Sequence, residues 1–175
     1  AKGARKQAKT FVYRVHDEPN QEKIENLRNF IGNFGYRMGA TTNGKEISKE
    51  LNNLFAAAKD TPEYNAIELL SLRTMAKARY DTENLGHYGL AFKYYTHFTS
   101  PIRRYPDMLV HRLLSQYLSG GQSAEKSLYD KLCKHASERE IVAAEAERAS
   151  IKYKLVEFMQ DKVGYTFGGH ISGLT

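Results

Sequence analysis

The stretch HFTSPIRRYPDMLVHR, residues 97–112, is the most informative part of this sequence of 175 residues. It gathers three arginines, two histidines, one aspartate and two prolines. Proline is tolerated in the first turn of a helix and disrupts a helix interior. Ser100 with Pro101 therefore predicts a helix start, and Pro106 predicts either a kink or the first turn of a second helix. We expect Arg103 and Arg104 to lie at a helix N-terminus.

This placement favours binding of an anion. Free backbone N–H groups and the helix dipole add to the charge of the arginines, and a guanidinium fork pairs bidentately with phosphate. Asp107, four residues after Arg103, is a candidate for holding that fork in place. Alternatively, Arg104, Asp107 and His111 are spaced as an ion-pair stripe on a helix surface. His97 and His111 lack carboxylate or thiol partners at ligand spacing, so we expect them to support the core or other side chains rather than to bind a metal.

Helical periodicity dominates the first half of the chain. Asn20 is suited to cap a helix that Gly35 ends. The apolar residues of that helix recur at helical spacing and define its core face: Ile24, Leu27, Ile31 and Phe34. A turn at Asn43 leads to a second helix, and Thr61 with the proline after it predicts a third helix that runs toward Arg79.

Two stretches are richer in β-branched and aromatic residues. TFVYRVH, residues 10–16, predicts a short strand, and the Gly-rich aromatic segment of residues 86–96 predicts another strand. Ser123 to about Asp161 predicts a long helix with a narrow, alanine-rich packing face. That face comprises Leu128, Leu132, Ala136, Ala143, Ala146, Tyr153 and Val156. VGYTFGGHISGLT, residues 163–175, returns to strand-like alternation. The predicted fold class is α+β, predominantly helical.

The composition limits which classes of protein and of binding partner are possible. The chain has 26 Lys and Arg residues against 20 Asp and Glu residues, a formal net charge of +6, which is the sign expected of a surface that meets phosphate. Cys133 is the single cysteine, so a reducing compartment and a buried position on a helix are expected for it. No run approaches the roughly 18 apolar residues of a membrane span. We expect a soluble, cytoplasmic protein with no membrane partner.

The sequence from Ala76 to Leu114, AKARYDTENLGHYGLAFKYYTHFTSPIRRYPDMLVHRLL, resembles the most characteristic motif of the RNB catalytic domain of the ribonuclease II and ribonuclease R family. TFVYRVHDEPNQEKIENLRNFI, residues 10–31, is similar to the segment before that motif, and EREIVAAEAERASIKYK, residues 138–154, is similar to the helix after it. The tail resembles the first strand of the OB-fold RNA-binding domain that follows in these enzymes. The resemblance therefore implies the C-terminal part of an RNB domain over residues 1–161 and a truncated OB-fold strand over residues 162–175.

The activity that the resemblance implies is that of a processive, Mg²⁺-dependent 3′-to-5′ exoribonuclease. Such an enzyme hydrolyses RNA to nucleoside 5′-monophosphates and acts on single-stranded RNA or an RNA 3′ end. Arg103 matches the family arginine that contacts the scissile phosphate and is needed for cleavage, and Arg104 would help to hold the same anionic environment. Glu147 matches a glutamate that contacts nucleotides near the 3′ end. On residue type alone, an exposed helix carboxylate that pairs with a neighbour such as Arg148 is the favoured interpretation of Glu147.

The family holds its Mg²⁺ with a close cluster of aspartates upstream of the motif. The six aspartates of this chain are scattered along the sequence instead. The resemblance thus implies a metal whose ligands lie outside this chain, with no metal ligands within it. We expect the chain to be part of a longer enzyme and to be inactive alone.

Two other classes of function stay open. A non-catalytic single-stranded RNA-binding module would use the basic helix ends, with Tyr88, Tyr94 and Tyr95 as stacking platforms. Aromatic residues in a Gly-rich segment also serve as core packing, which is the structural alternative for these tyrosines. A helical interaction scaffold would need only the long alanine-rich helix. The sequence does not decide the oligomeric state.

Overall fold

The computed structural model describes residues 9–40 and 42–169. Its strands and helices in chain order are β1 (Tyr13–Val15), α1 (Gln21–Gly32), α2 (Gly44–Ala58), α3 (Tyr64–Thr74), β2 (Arg79–Asp81), α4 (Tyr105–Leu118) and α5 (Lys126–Met159). The predicted α+β, predominantly helical fold class is confirmed. No helix in these two ranges combines the length and the apolar character that crossing a bilayer requires.

Contacts between Cα atoms divide the described residues into two units. The helical unit comprises Asp17–Lys77 together with the described residues from Phe167 onward. The motif unit comprises the described residues up to His16 together with Ala78–Thr166. The motif unit takes its name from residues 97–112, which lie within it.

Helices α1, α2 and α3 form the helical unit around one apolar core, with α3 packed against both α1 and α2. The buried side chains of this core are Ile24, Leu27, Ile31, Ile47, Leu51, Leu54, Ala58 and Ile67. The side chain of Asn20 accepts a hydrogen bond from Lys23 N at 3.2 Å, and that of Asn43 accepts one from Lys45 N at 3.0 Å. Asn20 therefore caps α1 as predicted, and Asn43, predicted to lie in the turn before the second helix, caps α2.

Some details of the helical unit differ from the prediction. Phe34 is 46% exposed and is not part of the core face, because α1 already ends at Gly32. Thr61 does not cap α3, since its hydroxyl donates to the carbonyl of Ala58 at 2.6 Å. α3 ends at Thr74 rather than near residue 79, which belongs to strand β2.

Strands β1 and β2 form an antiparallel pair in the motif unit, with Arg14 opposite Tyr80. The strand predicted over residues 10–16 is confirmed, although only three of these residues belong to β1. The strand predicted over residues 86–96 is wrong. Gly86 and Ala91 have positive φ angles of 76° and 55°, which turn the chain out of an extended path, and a short 3₁₀ turn forms at Tyr88–Leu90.

Helix α4 begins at Tyr105 and not at the predicted start near Ser100. Residues 101–103 form a turn instead, in which the N–H groups of Arg103 and Arg104 both donate to the carbonyl of Ser100, at 3.2 and 3.0 Å. Pro106 explains the delay. A helix that ran through Pro106 from residue 101 would lose a hydrogen bond and would press the proline ring against the carbonyl four residues earlier. Pro106 therefore lies in the first turn of its own helix, which is one of the two predicted alternatives.

Helix α5 is the predicted long helix, and a short 3₁₀ turn extends it to Lys162. It packs against β2 and α4. Cys133 is 2% exposed in this contact, which confirms its expected buried position. The predicted packing face holds at Leu132 and Ala136, which pack against the core of the motif unit. It is wrong for Leu128 and for the second half of α5, because the following residues are all exposed: Leu128, Ala143, Ala146, Tyr153 and Val156.

Residues 163–169 form no strand. The rest of the strand-like tail, residues 170–175, lies outside the described residues. The division into residues 1–161 and an OB-fold strand over residues 162–175 therefore stays a prediction.

Candidate nucleic-acid interface

The turn before α4 presents Arg103 to solvent. Arg103 is exposed, and within the described residues no carboxylate pairs with its guanidinium group. The neighbouring Ile102 is 98% exposed, so the tip of this turn lies in open solvent. A guanidinium in such a position is suited to bind a phosphate through two parallel hydrogen bonds.

Asp107 fixes the base of the turn. Its carboxylate oxygen Oδ2 accepts hydrogen bonds from Ser100 N at 2.8 Å and from Arg104 Nη2 at 3.0 Å, and its side chain is fully buried. The prediction that Asp107 holds Arg103 is therefore wrong, because Arg104 occupies that position. The alternative of an ion-pair stripe is confirmed for the Arg104–Asp107 pair, but this pair is not on the surface, since Asp107 is fully buried, and His111 contacts Phe98 instead. Asp107 closes the loop between residues 100 and 107 and so positions Arg103 indirectly.

The N-terminal end of α4 differs from the predicted anion site. Arg104 is the N-cap residue and Arg103 precedes the helix, so neither lies in the first turn of α4. The acidic residue of that turn is Asp107, and a carboxylate there interacts favourably with the helix dipole. A negative charge already lies at this helix end. A bound phosphate would therefore depend on Arg103 more than on the dipole.

His97, just before the turn, is anchored by a tyrosine of strand β2. Tyr80 Oη and His97 Nδ1 are 2.8 Å apart. Burial raises the pKa of Tyr80 to about 12. Burial, assisted by the positive charges of Arg104 and Arg14, lowers the pKa of His97. Near neutral pH the phenol therefore keeps its proton and the imidazole is uncharged, so the hydroxyl of Tyr80 donates to Nδ1.

Arg14 links this tyrosine to helix α5. Its Nη1 atom lies 2.6 Å from Glu140 Oε2, and its guanidinium lies over the Tyr80 ring, 4.6 Å from the centroid. Its backbone N–H donates to the carbonyl of Tyr95 at 2.9 Å. The hydroxyl of Thr96 donates to a carbonyl just before β1 at 2.8 Å. These contacts hold the segment that leads into the turn against β1.

The sequence pattern does not identify Arg14, Tyr80 or Glu140 as parts of this site. Arg14 and Tyr80 meet because the register of β1 and β2 places them opposite each other, and residues so far apart in the chain leave no spacing signal. Glu140 lies among other acidic residues of a long helix. Glu140 is distinguished from those residues by its ion pair with Arg14, whose position depends on the strand register.

The three tyrosines considered as stacking platforms have different surroundings. Tyr95 contacts three neighbouring rings, with centroids 5.1, 5.8 and 5.8 Å away. Tyr88 meets His16 edge-on at 5.9 Å. Tyr94, in contrast, is 64% exposed. Tyr88 and Tyr95 thus pack against other rings, as the structural alternative expects, whereas Tyr94 does not.

His111 interacts with a ring and a main-chain carbonyl. Its Nε2 atom lies 2.7 Å from the carbonyl oxygen of Phe98, and the two rings stack with centroids 4.1 Å apart and an interplanar angle of 2°. In the part of the chain that the structure describes, no three or more His, Cys, Asp or Glu side chains are grouped to hold a metal ion.

Glu147 lies on the exposed second half of α5. Among the described residues no cation pairs with it, so the alternative pairing with Arg148 is not observed. The α5 carboxylate that takes part in the contacts behind the turn is Glu140. The structure thus brings Arg103 and Arg104 together in one turn and leaves Glu147 on a separate element.

Known proteins have sequences similar to that of this chain. The RNB domain matches residues 1–120. Ribonuclease R of Aquifex aeolicus is 40% identical over 166 residues, which cover 93% of this chain and 23% of that protein. Ribonuclease R of Thermotoga maritima is 41% identical over 172 residues, which cover 94% of this chain and 24% of that protein. The chain spans about a quarter of the length of these curated relatives.

Solved structures share its fold. Mycoplasma genitalium ribonuclease R, in complex with ribose-methylated single-stranded RNA, matches with a TM-score of 0.80 and 32% identity over 95% of this chain and 27% of that one. Yeast Ssd1, a pseudonuclease, matches with a TM-score of 0.58 and 30% identity over 74% of this chain and 17% of that one. Because the RNB match covers well over half of the chain and the fold agrees with that of a solved ribonuclease R, this chain belongs to the RNB domain family.

Proposed function

We propose that this chain is part of a processive, Mg²⁺-dependent 3′-to-5′ exoribonuclease that hydrolyses single-stranded RNA to nucleoside 5′-monophosphates. The observation that carries the proposal is the exposed guanidinium of Arg103, on a turn that Asp107 holds from behind. Membership of the RNB family supports it, as does the single-stranded RNA bound to ribonuclease R of M. genitalium. The net charge of +6 agrees with a polyanionic partner.

In this proposal Arg103 contacts the scissile phosphate. Negative charge develops on the phosphate oxygens during cleavage, and a guanidinium fixed in advance stabilises that charge without reorganisation. The hydrogen bonds of Asp107 to Ser100 and Arg104 matter for this role, because a misplacement of about 1 Å lowers a rate by about 100-fold. Arg104 adds positive potential behind the same phosphate. Glu147 contacts nucleotides near the RNA 3′ end.

Mg²⁺, when bound, supplies an activated water and neutralises charge on the entering and leaving oxygens. We propose that the ligands of Mg²⁺ lie outside this chain, because the family resemblance implies aspartate ligands upstream of the motif at residues 97–112. The chain alone is then inactive as a nuclease. We also propose that the protein works in the cytoplasm, where the free thiol of Cys133 stays reduced.

The test compares the isolated chain with the full-length protein that contains it, on single-stranded RNA labelled at its 5′ end. We expect the full-length protein with Mg²⁺ to shorten this RNA from the 3′ end and to release nucleoside monophosphates. EDTA should stop the reaction, and the isolated chain should leave the RNA intact. A full-length protein that binds the RNA in Mg²⁺ and never degrades it would contradict the proposal.

A non-catalytic single-stranded RNA-binding module is the second candidate. The fold similarity to yeast Ssd1, a pseudonuclease, favours it, because a similar fold occurs there in a protein named as lacking the nuclease function. This candidate predicts RNA binding that weakens with salt, without degradation at any Mg²⁺ concentration. Degradation by the full-length protein that is lost in Arg103→Ala would exclude it.

A further inference from the structure

We propose that the stacked rings of Phe98 and His111 form a platform for one nucleobase of the RNA, next to the phosphate that Arg103 contacts. The inference rests on the proposed function, which supplies the RNA. It adds a contact to a base, whereas Arg103 provides a contact to the backbone.

The two rings are assembled before any ligand binds. Their centroids are 4.1 Å apart and their planes differ by 2°. His111 Nε2 lies 2.7 Å from the carbonyl oxygen of Phe98. Because a carbonyl only accepts hydrogen bonds, Nε2 carries the proton in this contact. The ring of His111 is thereby tied to the main chain of the residue on which it stacks, so binding a base costs little side-chain freedom.

The pair stays open to solvent although its rings cover each other. Phe98 is 42% exposed, and His111 is exposed as well. Other histidine contacts in the motif unit are edge-on, such as Tyr80 with His97 at an interplanar angle of 73°. Either geometry can leave a ring face uncovered, but in the parallel pair the two rings share one stacking axis, along which a third ring can be added. A parallel pair leaves an outer face on which a further flat ring can stack.

The platform adjoins the turn that carries Arg103. Phe98 precedes Ser100, whose N–H and carbonyl group anchor that turn. His111 follows Asp107, the other anchor, by four residues, which is about one turn of α4. Phe98 is therefore two positions along the chain from one anchor of the turn, and about one helical turn separates His111 from the other.

A nucleobase suits this surface better than an apolar side chain of a protein partner. Single-stranded nucleic acids are bound where a cationic group follows the backbone and an aromatic ring receives a base. Arg103 and the Phe98–His111 pair provide these two elements on segments that the Ser100–Asp107 hydrogen bond joins. An apolar protein surface would instead remove the Arg103 guanidinium from water without supplying an opposite charge, which is costly.

The test measures base-dependent binding by the full-length protein in EDTA, so that the RNA stays intact. The probes are single-stranded RNAs that each carry one abasic nucleotide at a different position near the 3′ end. For wild type we expect one abasic position to weaken binding by about 5- to 100-fold. Phe98→Leu removes the flat ring and keeps an apolar side chain. In that variant the same abasic position should make little further difference.

Three further variants separate the platform from a purely structural role. Phe98→Tyr keeps the ring and should keep the dependence on the base. His111→Leu should lose the dependence on the base. It provides a second variant if the circular dichroism spectrum shows that Phe98→Leu does not fold. Phe34→Leu is the matched control, because Phe34 is similarly exposed, at 46%, and belongs to the helical unit. It should behave as wild type.

Equal sensitivity to the abasic position in wild type, Phe98→Leu and His111→Leu would overturn the platform. A loss of affinity that is the same for every RNA would also overturn it, since the pair would then only shape the turn. The proposed nuclease function fails by a different result. It fails if the wild-type protein leaves the intact RNA undegraded when Mg²⁺ is added, whereas the binding measurement needs no cleavage.

Discussion

Replacing Asp107 by asparagine should destabilise the motif unit, and mainly through Arg104. The Asp107 side chain is fully buried and accepts hydrogen bonds from Arg104 Nη2 at 3.0 Å and from Ser100 N at 2.8 Å. Asparagine keeps the shape and one acceptor but removes the charge. Arg104, whose side chain is 23% exposed, then holds a largely buried charge without its partner.

The size of the effect follows from these contacts. A hydrogen bond to a charged group contributes about 1.5–3 kcal/mol, and a negative charge in the first turn of a helix adds about 0.3–1 kcal/mol. Breaking a fully buried ion pair costs about 3–5 kcal/mol, but Arg104 keeps some contact with water. Asp107 Oδ1 and Arg104 Nε are buried and have no partner among the described residues, so the pair makes one of the two bonds of a bidentate fork. We therefore expect Asp107→Asn to lower the free energy of unfolding by about 2–3 kcal/mol.

A double-mutant cycle with Arg104→Met isolates the pair. Because the chain has two units, hydrogen exchange of the α4 amides is the better measure, since it reports on the motif unit alone. We expect a coupling energy of about 1–2 kcal/mol between the two substitutions. Glu157→Gln is the matched control, because Glu157 pairs with Lys154 at 2.6 Å on the surface of α5 and should contribute less than about 0.5 kcal/mol. A coupling energy near zero, or equal effects of Asp107→Asn and Glu157→Gln, would refute the reasoning.

Three other predictions concern single side chains. Cys133 should react slowly with a thiol reagent at about pH 8 and fast in urea, since burial raises the pKa of its thiol to about 12; equal rates would contradict its burial. Acidification from about pH 7 to 5 should lower the melting temperature. Because the pKa of His97 is lower in the folded protein, the unfolded chain binds a proton at a higher pH than the folded protein does. The free energy of unfolding therefore decreases as the pH falls from the usual histidine pKa toward the pKa of His97 in the folded protein. His97→Asn should make this loss smaller, and an unchanged pH profile would count against the assignment. Asn43→Ala should cost about 1 kcal/mol in urea unfolding, because a helix cap is lost, whereas Asn52→Ala, at an exposed position inside α2, should cost nothing; equal costs would argue against the cap.

The helical unit follows closely from local patterns. Asn20 caps the helix that it is predicted to cap, because an N-cap depends on residues within the next turn. Asn43 lies in the predicted turn and also caps α2. The spacing of apolar residues also predicts the buried face of α1 at Ile24, Leu27 and Ile31. Such signals need no information about distant parts of the chain.

The candidate site depends on contacts that local patterns do not contain. The sequence locates Arg103 and Arg104 but assigns Asp107 to the wrong arginine, because the outcome depends on how the chain turns at residues 101–103. Tyr80 and Glu140 both contact Arg14, and the pairing of β1 with β2 sets the position of Arg14. The family resemblance points to Arg103, and the structure adds the side chains that hold it in place.

The role of Arg103 is tested most directly by the rate at which the full-length Arg103→Ala protein degrades single-stranded RNA in Mg²⁺. We expect the rate of the cleavage step to fall by about 10²–10³-fold and the RNA affinity to change much less, because the contact strengthens in the transition state. Arg103→Lys keeps the charge without the fork and should be intermediate. Arg73→Ala removes the same charge from an exposed position at the end of α3 and should have no effect. An Arg103→Ala protein that degrades RNA at the wild-type rate would contradict the assignment of Arg103 to the scissile phosphate.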